Sequence, residues 1–301
     1  SDVKSIAKVV HMRGRILAVD EAHGSHLTFN AGLPVCALEA GADICVQSAH
    51  KTLPAFTQGA YLHIGSETID QDRLKYFLDI YQTTSPSYII MAFLDIAREI
   101  MQKNADALLS GLLRAIEDLS GVMDDSGVRL HGNNLKGFTR DKTRIVANTA
   151  GLGITGYQAE KLLREKFNIQ VEMSDMYNTV SIVTIADDYE SLSRLFSGLS
   201  GLSRYACSEE LPILKGFSRI KIPFQERDTG RILNGHTERV LLKNAAGRVS
   251  MGIISPCPPG TALVCPGETF TGEIIDLLHF IMRNGGIIYG IDEDNSVSVS
   301  V

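Results

Sequence analysis

The chain has 301 residues, 44% of them hydrophobic, with 29 Lys and Arg against 35 Asp and Glu for a formal net charge of −6. That content suits a sizeable core, excludes a disordered polyelectrolyte, and leaves no basic surplus for nucleic acid as the main partner. No apolar run approaches a membrane span, the opening SDVKSIAKVVHMRGR is not a signal peptide, and five cysteines read as reduced thiols, so a cytoplasmic globular protein without membrane contact is expected.

Taken in chain order, the spacing predicts a helix over Asp2–Met12, a buried strand over Arg15–Asp20, a short helix over Leu33–Gly41, and strands over Asp43–Gln47 and Gly59–Ile64. Strand, helix and strand at this spacing read as a βαβ unit, hence a parallel sheet covered by helices. A long helix is predicted from Tyr88 to about Leu119, with Ser85 as its cap and Pro86 in its first turn. The polar, Gly-rich stretch Gly121–Thr143 reads as a boundary. Beyond it a strand is predicted at Arg144–Thr149, a helix at Gly156–Phe167, a strand at Val180–Ile185 and a helix at Asp188–Leu202. Residues 203–235 give no clear pattern. The stretch ERVLLKNAAGRVS, Glu238–Ser250, looks helical; turns follow, then a helix at Gly272–Asn284 and a strand near Ile287. The expected domains are 1–120, a small α+β unit at 121–205, and 206–301.

Asp20 ends its strand and Lys51 lies just past the end of the next. A right-handed crossover would bring both to one rim of the sheet, where open α/β folds bind ligands. A carboxylate and an amine on one rim suit pyridoxal phosphate: the lysine forms a Schiff base with the aldehyde and the aspartate keeps the ring nitrogen protonated. Taken singly, each has a plainer reading, a strand-end cap for Asp20 and a solvated side chain for Lys51.

The segments VDEAHGSH (Val19–His26) and SAHKTLPAFTQGAYLHI (Ser48–Ile64) resemble the Orn/Lys/Arg decarboxylase family of fold-type-I pyridoxal-phosphate enzymes. The likeness continues through TTSPSY (Thr83–Tyr88), FLDIAREIM (Phe93–Met101), Gly151–Asp175 and Ala245–Glu268, so it covers nearly the whole chain. The resemblance implies an α/β fold: part of a large cofactor domain, mainly parallel sheet with helices, followed by smaller α+β C-terminal domains. It also implies Lys51 as the Schiff-base lysine, Asp20 as the ring-nitrogen partner, Ala22 packing on the ring face and His23 beside the ring. Ser48 and His50 would bond the phosphate or flank the lysine, and Thr84 and Ser85 would reach the cofactor across a dimer interface. His50 has packing as its alternative, and Thr84 and Ser85 have the start of the following helix.

Members of that family carry, upstream of the DEAHG strand, a turn that cradles the phosphate and a side chain that stacks on the ring. Neither is found in these residues. The resemblance therefore implies that residue 1 falls inside a domain, with the missing segment absent or supplied as a separate chain. The implied reaction is decarboxylation of lysine, arginine or ornithine by a homodimer or larger homo-oligomer, in polyamine synthesis or acid tolerance. Another Cα reaction on the same cofactor, as in an aminotransferase or aldol-type lyase, and an inactive docking fragment are the competing readings. The substrate's distal cation needs an acidic partner; Glu172, Asp175 and Glu268 lie in family-like segments, with a surface carboxylate as the plainer reading of each. His23, His26 and His50 lack a carboxylate or cysteine to complete a metal set, and Cys257 and Cys265 are too far apart for a CxxC pair. Cys257 also stands where the family usually has an aromatic residue in its PxPPG motif.

Overall fold

The computed structural model describes residues 2–123, 125–131, 139–208, 211, 220–232, 235–257 and 260–301. Parts of the predicted boundary at 121–143, of the unread stretch 203–235, and Pro258 and Pro259 of the PxPPG motif lie outside the described residues. The chain divides into two compact units. Unit 1 is Ser1–Val122 with Gly132–Ile145 and Ile182–Phe196; unit 2 is Met123–His131 with Val146–Ser181 and Ser197–Val301.

Unit 1 opens with α1 (Val3–His11), capped by the Asp2 carboxylate, which accepts from Ser5 N–H at 3.1 Å. A three-stranded sheet follows, in the order β1 (Ala18–Asp20), β2 (Ile44–Gln47), β3 (Tyr61–Ile64). The first pair is parallel, with Asp20 opposite Val46, whereas β3 runs antiparallel to β2. The sheet is therefore mixed. Between β2 and β3 the chain makes only a single turn of helix, α2 (Ala49–Thr52), and without a longer crossover it returns in the opposite sense. The strand predicted over Arg15–Asp20 starts only at Ala18, and its residues alternate exposed and half-buried instead of being buried throughout.

The short helix predicted at Leu33–Gly41 is a series of turns. Pro34 has no N–H to donate, and Gly41 takes φ +100, so the bonds from Ala40 N–H to Cys36 O and from Ala42 N–H to Ala37 O never extend into a helix. This turn packs Ala37, Ala42 and Cys45 together as a small core, with Val19 and Leu17 against it. Cys36 is buried nearby.

The helix α3 (Gln71–Tyr81) was not foreseen. It buries none of its residues, although Leu74, Phe77, Leu78 and Tyr81 recur at helical spacing; the Asp70 cap starts it. The long helix α4 (Tyr88–Ser120) matches expectation and buries Ala97, Met101, Ala105, Leu109, Leu112 and Ile116 along one face. Its cap is Ser87, whose hydroxyl accepts from Ile90 N–H, so Ser85 and Pro86 precede the helix instead of starting it.

In the second half of the chain a four-stranded sheet has the order β4 (Arg129–Leu130), β5 (Arg144–Asn148), β7 (Asn178–Ile182), β6 (Met173–Ser174). Between β5 and β6 runs α5 (Gly156–Phe167), where Thr155 and Gln158 form a reciprocal capping box. Helix α6 (Tyr189–Gly201) belongs to unit 1 as far as Phe196. Past the single turn α7 (Thr229–Ile232), the stretch predicted as helix at Glu238–Ser250 is instead β8 (Thr237–Leu241) and a 3-10 turn. Pairing decides against helix: Thr237–Leu241 runs antiparallel to the unforeseen β11 (Ser296–Ser300), and Gly247, with φ +76, ends the Ala-Ala run. The short β9 (Ser255–Cys257) pairs with β10 (Ile287–Tyr289), and α8 (Gly272–Arg283) lies between them in sequence. Phe270, Ile274, Leu278, Ile254, Val264 and Val299 form the core of this part, each buried aliphatic side chain contributing about 1.5–3 kcal/mol. No helix among the described residues is long and apolar enough to cross a membrane.

Candidate active site

The parallel pairing of β1 and β2 sets the site, because it delivers the ends of both strands to one edge of the sheet. Asp20 is exposed at the end of β1, and its Oδ1 accepts from Ala22 N–H at 3.0 Å, which folds the next residues back as a turn. The carbonyl of Ala22 accepts from Ser48 N–H at 3.2 Å, so the turn after β1 is hydrogen-bonded to the turn after β2. Across that seam Lys51 Nζ lies 3.3 Å from His23 Nε2. An ammonium can only donate, so in that form Nε2 accepts and the imidazole proton sits on Nδ1.

The other residues named from sequence fall in different places. Ser48 caps α2 by backbone geometry without a side-chain bond. His50 Nδ1 lies 2.9 Å from Gly59 O, so its ring is held by the β3 approach. Thr84 and Ser85 are exposed before α4, where Ser85 N–H donates to Thr83 Oγ1; among the described residues no hydrogen bond links either to Asp20, His23 or Lys51. Among the described residues no group of three or more His, Cys, Asp or Glu could hold a metal ion.

The structure adds two networks that the motifs did not announce. In the first, the Glu21 carboxylate accepts from Ala37 N–H at 2.8 Å and from Gln47 Nε2 at 2.7 Å, with Cys45 Sγ at 3.8 Å. Because the Gln47 amide gives its N–H to Glu21, its oxygen faces His63 Nε2 at 3.1 Å, which fixes Nε2 as the protonated ring nitrogen. Burial holds the His63 ring below the usual imidazole range, and burial followed by the Glu21 charge pushes the Cys45 thiol up to about 12. In the second, Arg144 Nη2 donates to His23 O at 3.0 Å, while buried His26 Nε2 lies 3.1 Å from both Asp141 Oδ2 and Thr143 Oγ1. Burial pushes the Asp141 carboxyl up, but the hydrogen bonds from His26 and Thr143 and the Arg144 charge leave it below the usual carboxylate range.

In unit 2 a cavity of about 670 Å³ is lined by Tyr157, Glu172, Cys257, Arg283 and Tyr289 among others, so two residues singled out from sequence, Glu172 and Cys257, face one space.

An amine, an imidazole and a carboxylate on the rim of one parallel strand pair, with the small Ala22 between them, form a donor set that fits pyridoxal phosphate. Residues 1–150 match the major domain of the Orn/Lys/Arg decarboxylase family, and residues 223–294 match its C-terminal domain. An arginine decarboxylase of Bacillus subtilis is 31% identical over 290 residues, covering 94% of this chain and 59% of its own. The constitutive lysine decarboxylase of Escherichia coli is 24% identical, covering 78% of this chain and 44% of its own. The solved lysine decarboxylase A of Pseudomonas aeruginosa superimposes with a TM-score of 0.72 at 17% identity, over 95% of this chain and 53% of its own. The fold is thus the expected α/β fold of the fold-type-I enzymes. The chain belongs to the Orn/Lys/Arg decarboxylase family and spans little more than half the length of the curated arginine decarboxylase it matches.

Proposed function

We propose that the protein containing this chain decarboxylates a basic amino acid with pyridoxal phosphate, and that arginine is the substrate. The observation that carries this reading is the 3.3 Å approach of Lys51 Nζ to His23 Nε2 on the rim where Asp20 ends β1. The choice of arginine is supported by the 31% identity to a protein named arginine decarboxylase, against 24% to one named for lysine.

When bound, the cofactor supplies an electron sink for the pair left at Cα as CO₂ departs. Lys51 would hold the group through its side-chain amine. His23 Nε2, within hydrogen-bond reach of Nζ, is placed to hold or pass a proton at that amine. The Asp20 carboxylate holds a proton at the ring nitrogen, and the Ala22 methyl leaves room for a flat ring. Ser48 and His50 flank the lysine, and Thr84 and Ser85 act in the site of a second subunit of a cytoplasmic homodimer. Loss of CO₂ consumes a proton, which suits polyamine synthesis or acid tolerance alike.

The test is borohydride fixation of the cofactor on the full-length protein, peptide mapping, and CO₂ release from arginine, lysine and ornithine compared side by side. Label at Lys51 and fastest release from arginine are expected. Label at another lysine removes the assignment, and a faster lysine or ornithine reaction removes the choice of substrate.

A further inference from the structure

We infer that Glu21 is a positioning residue that sets the Lys51–His23 and Asp20 geometry from behind the rim, a role that rests on the reading of those three residues given above. Glu21 follows Asp20 in the chain. Asp20 is exposed on the rim, whereas Glu21 is half-buried and its carboxylate meets a backbone N–H and a side-chain amide behind the rim.

Two separate pieces of chain converge on that carboxylate, and the backbone of Glu21 adds a third tie. Oε1 takes the N–H of Ala37, in the turn between β1 and β2. Oε2 takes the amide of Gln47, the last residue of β2, and the same amide nitrogen stands 3.5 Å from Gly24 O. The Glu21 N–H itself bonds Val46 O at 2.9 Å. The turn carrying His23 and the turn carrying Lys51 are therefore held in one frame, to which the Ala22–Ser48 bond also belongs. A further observation shows how closely Glu21 fills its place. A Cβ on Gly24 would lie 2.2 Å from Glu21 Cγ and 2.5 Å from its Cδ, so the residue after His23 can carry no side chain while Glu21 is seated.

The frame also predicts a graded response. In E21A, Ala37 N–H loses its acceptor and the Gln47 amide keeps only the longer contact to Gly24 O. In E21Q one oxygen remains for Ala37 N–H, and the new amide finds an acceptor if Gln47 turns its own amide over, with the His63 proton moving to Nδ1 to receive it. Q47L removes the same tie from the β2 side.

The experiment reads the Lys51 amine directly. Full-length protein without cofactor is treated with trinitrobenzenesulfonate, and the modification rate of Lys51 is divided by that of exposed Lys75 in the same digest. E21A is expected to change this ratio at least threefold and E21Q less than twofold. In the protein with cofactor, E21A is expected to lower kcat at least tenfold with KM within threefold and to move the pH midpoint of the visible absorption band. A ratio within 1.5-fold of wild type in E21A overturns the proposal, whatever happens to thermal stability, since a purely structural role would lower the melting temperature alone. If E21A does not fold, Q47L carries the same thresholds. A wild-type protein that takes no cofactor at Lys51 removes the functional reading, while the ratio still decides whether Glu21 positions the amine.

Discussion

His11 Nε2 and Asp43 Oδ2 lie 2.8 Å apart, joining the last turn of α1 to the residue before β2. Asp43 is buried, and its carboxylate also accepts the Leu17 N–H at 2.8 Å. That backbone bond first, and the His11 bond next, hold the carboxyl below the usual carboxylate range. A carboxyl lowered in the folded state adds stability that is fully present above its unfolded value of about 4 and is lost as pH falls through the lowered value. Asp43→Asn is expected to cost about 1–3 kcal/mol at pH 7 and to flatten the acid limb of the stability curve. Urea denaturation between pH 3 and pH 7 checks this; an equal gap between variant and wild type at both ends refutes the linkage.

Asp20→Asn keeps an oxygen for the Ala22 N–H and so keeps the turn. On the function proposed above, what it removes is the charge that would favour a proton on the cofactor ring. The expected result is retained cofactor binding with a loss of roughly 2–4 kcal/mol of transition-state stabilisation, about thirty- to a thousandfold in kcat. Steady-state kinetics on the full-length protein measure it, and turnover within tenfold of wild type would take Asp20 out of the mechanism.

Gly24→Ala places a methyl against a side chain that cannot swing away, because both carboxylate oxygens of Glu21 are engaged. A cost of about 1–3 kcal/mol is expected. The informative measurement is the double variant with Glu21→Ala, whose total cost should fall short of the sum by about 0.5–3 kcal/mol. Strict additivity would mean that the two positions do not meet.

At the start of α5, Thr155→Ala removes the capping oxygen and should cost about 1–2 kcal/mol. Gly156→Ala should cost more, because its Cβ would lie 2.2 Å from Asn178 O and 2.4 Å from Asp175 O, and backbone oxygens have no rotamer to escape into. Denaturation midpoints of the two variants give the order directly, and a smaller loss in Gly156→Ala would contradict the geometry.

Elements with a continuous apolar stripe were legible in advance: α4, α5 and α8 fall within a residue or two of their expected ends. The misread segments have different causes: at Leu33–Gly41 Pro34 and Gly41 act locally, whereas at Thr237–Leu241 a partner distant in sequence decides. Thr237–Leu241 becomes a strand because Ser296–Ser300 pairs with it, and an isolated ERVLLKNAA has no means of declaring that. Helix α3 carries Leu74, Phe77, Leu78 and Tyr81 at helical spacing, a signal passed over in the reading, and none of the four is buried. In the candidate site, Asp20 and Lys51 stood out because strand ends are visible in a hydrophobic pattern. Glu21 did not, because its meaning depends on the register that sets Asp20 opposite Val46 and so brings Gln47 within reach. Arg144 reaches the His23 carbonyl from a strand more than a hundred residues away, a relation that local sequence does not encode.

The two sulfurs enclosed beside the turn between β1 and β2 make unit 1 its own stopwatch. Cys207 is exposed and meets an alkylating reagent at every encounter, whereas Cys36 and Cys45 are shut away, and burial pushes both thiols up, Cys45 to about 12. Either must wait for the turn to open and then for a proton to leave before it can react. The mass added to Cys45 over minutes and hours, set against the immediate addition at Cys207, therefore counts how often the frame behind Lys51 comes apart while the rest of the molecule stays folded.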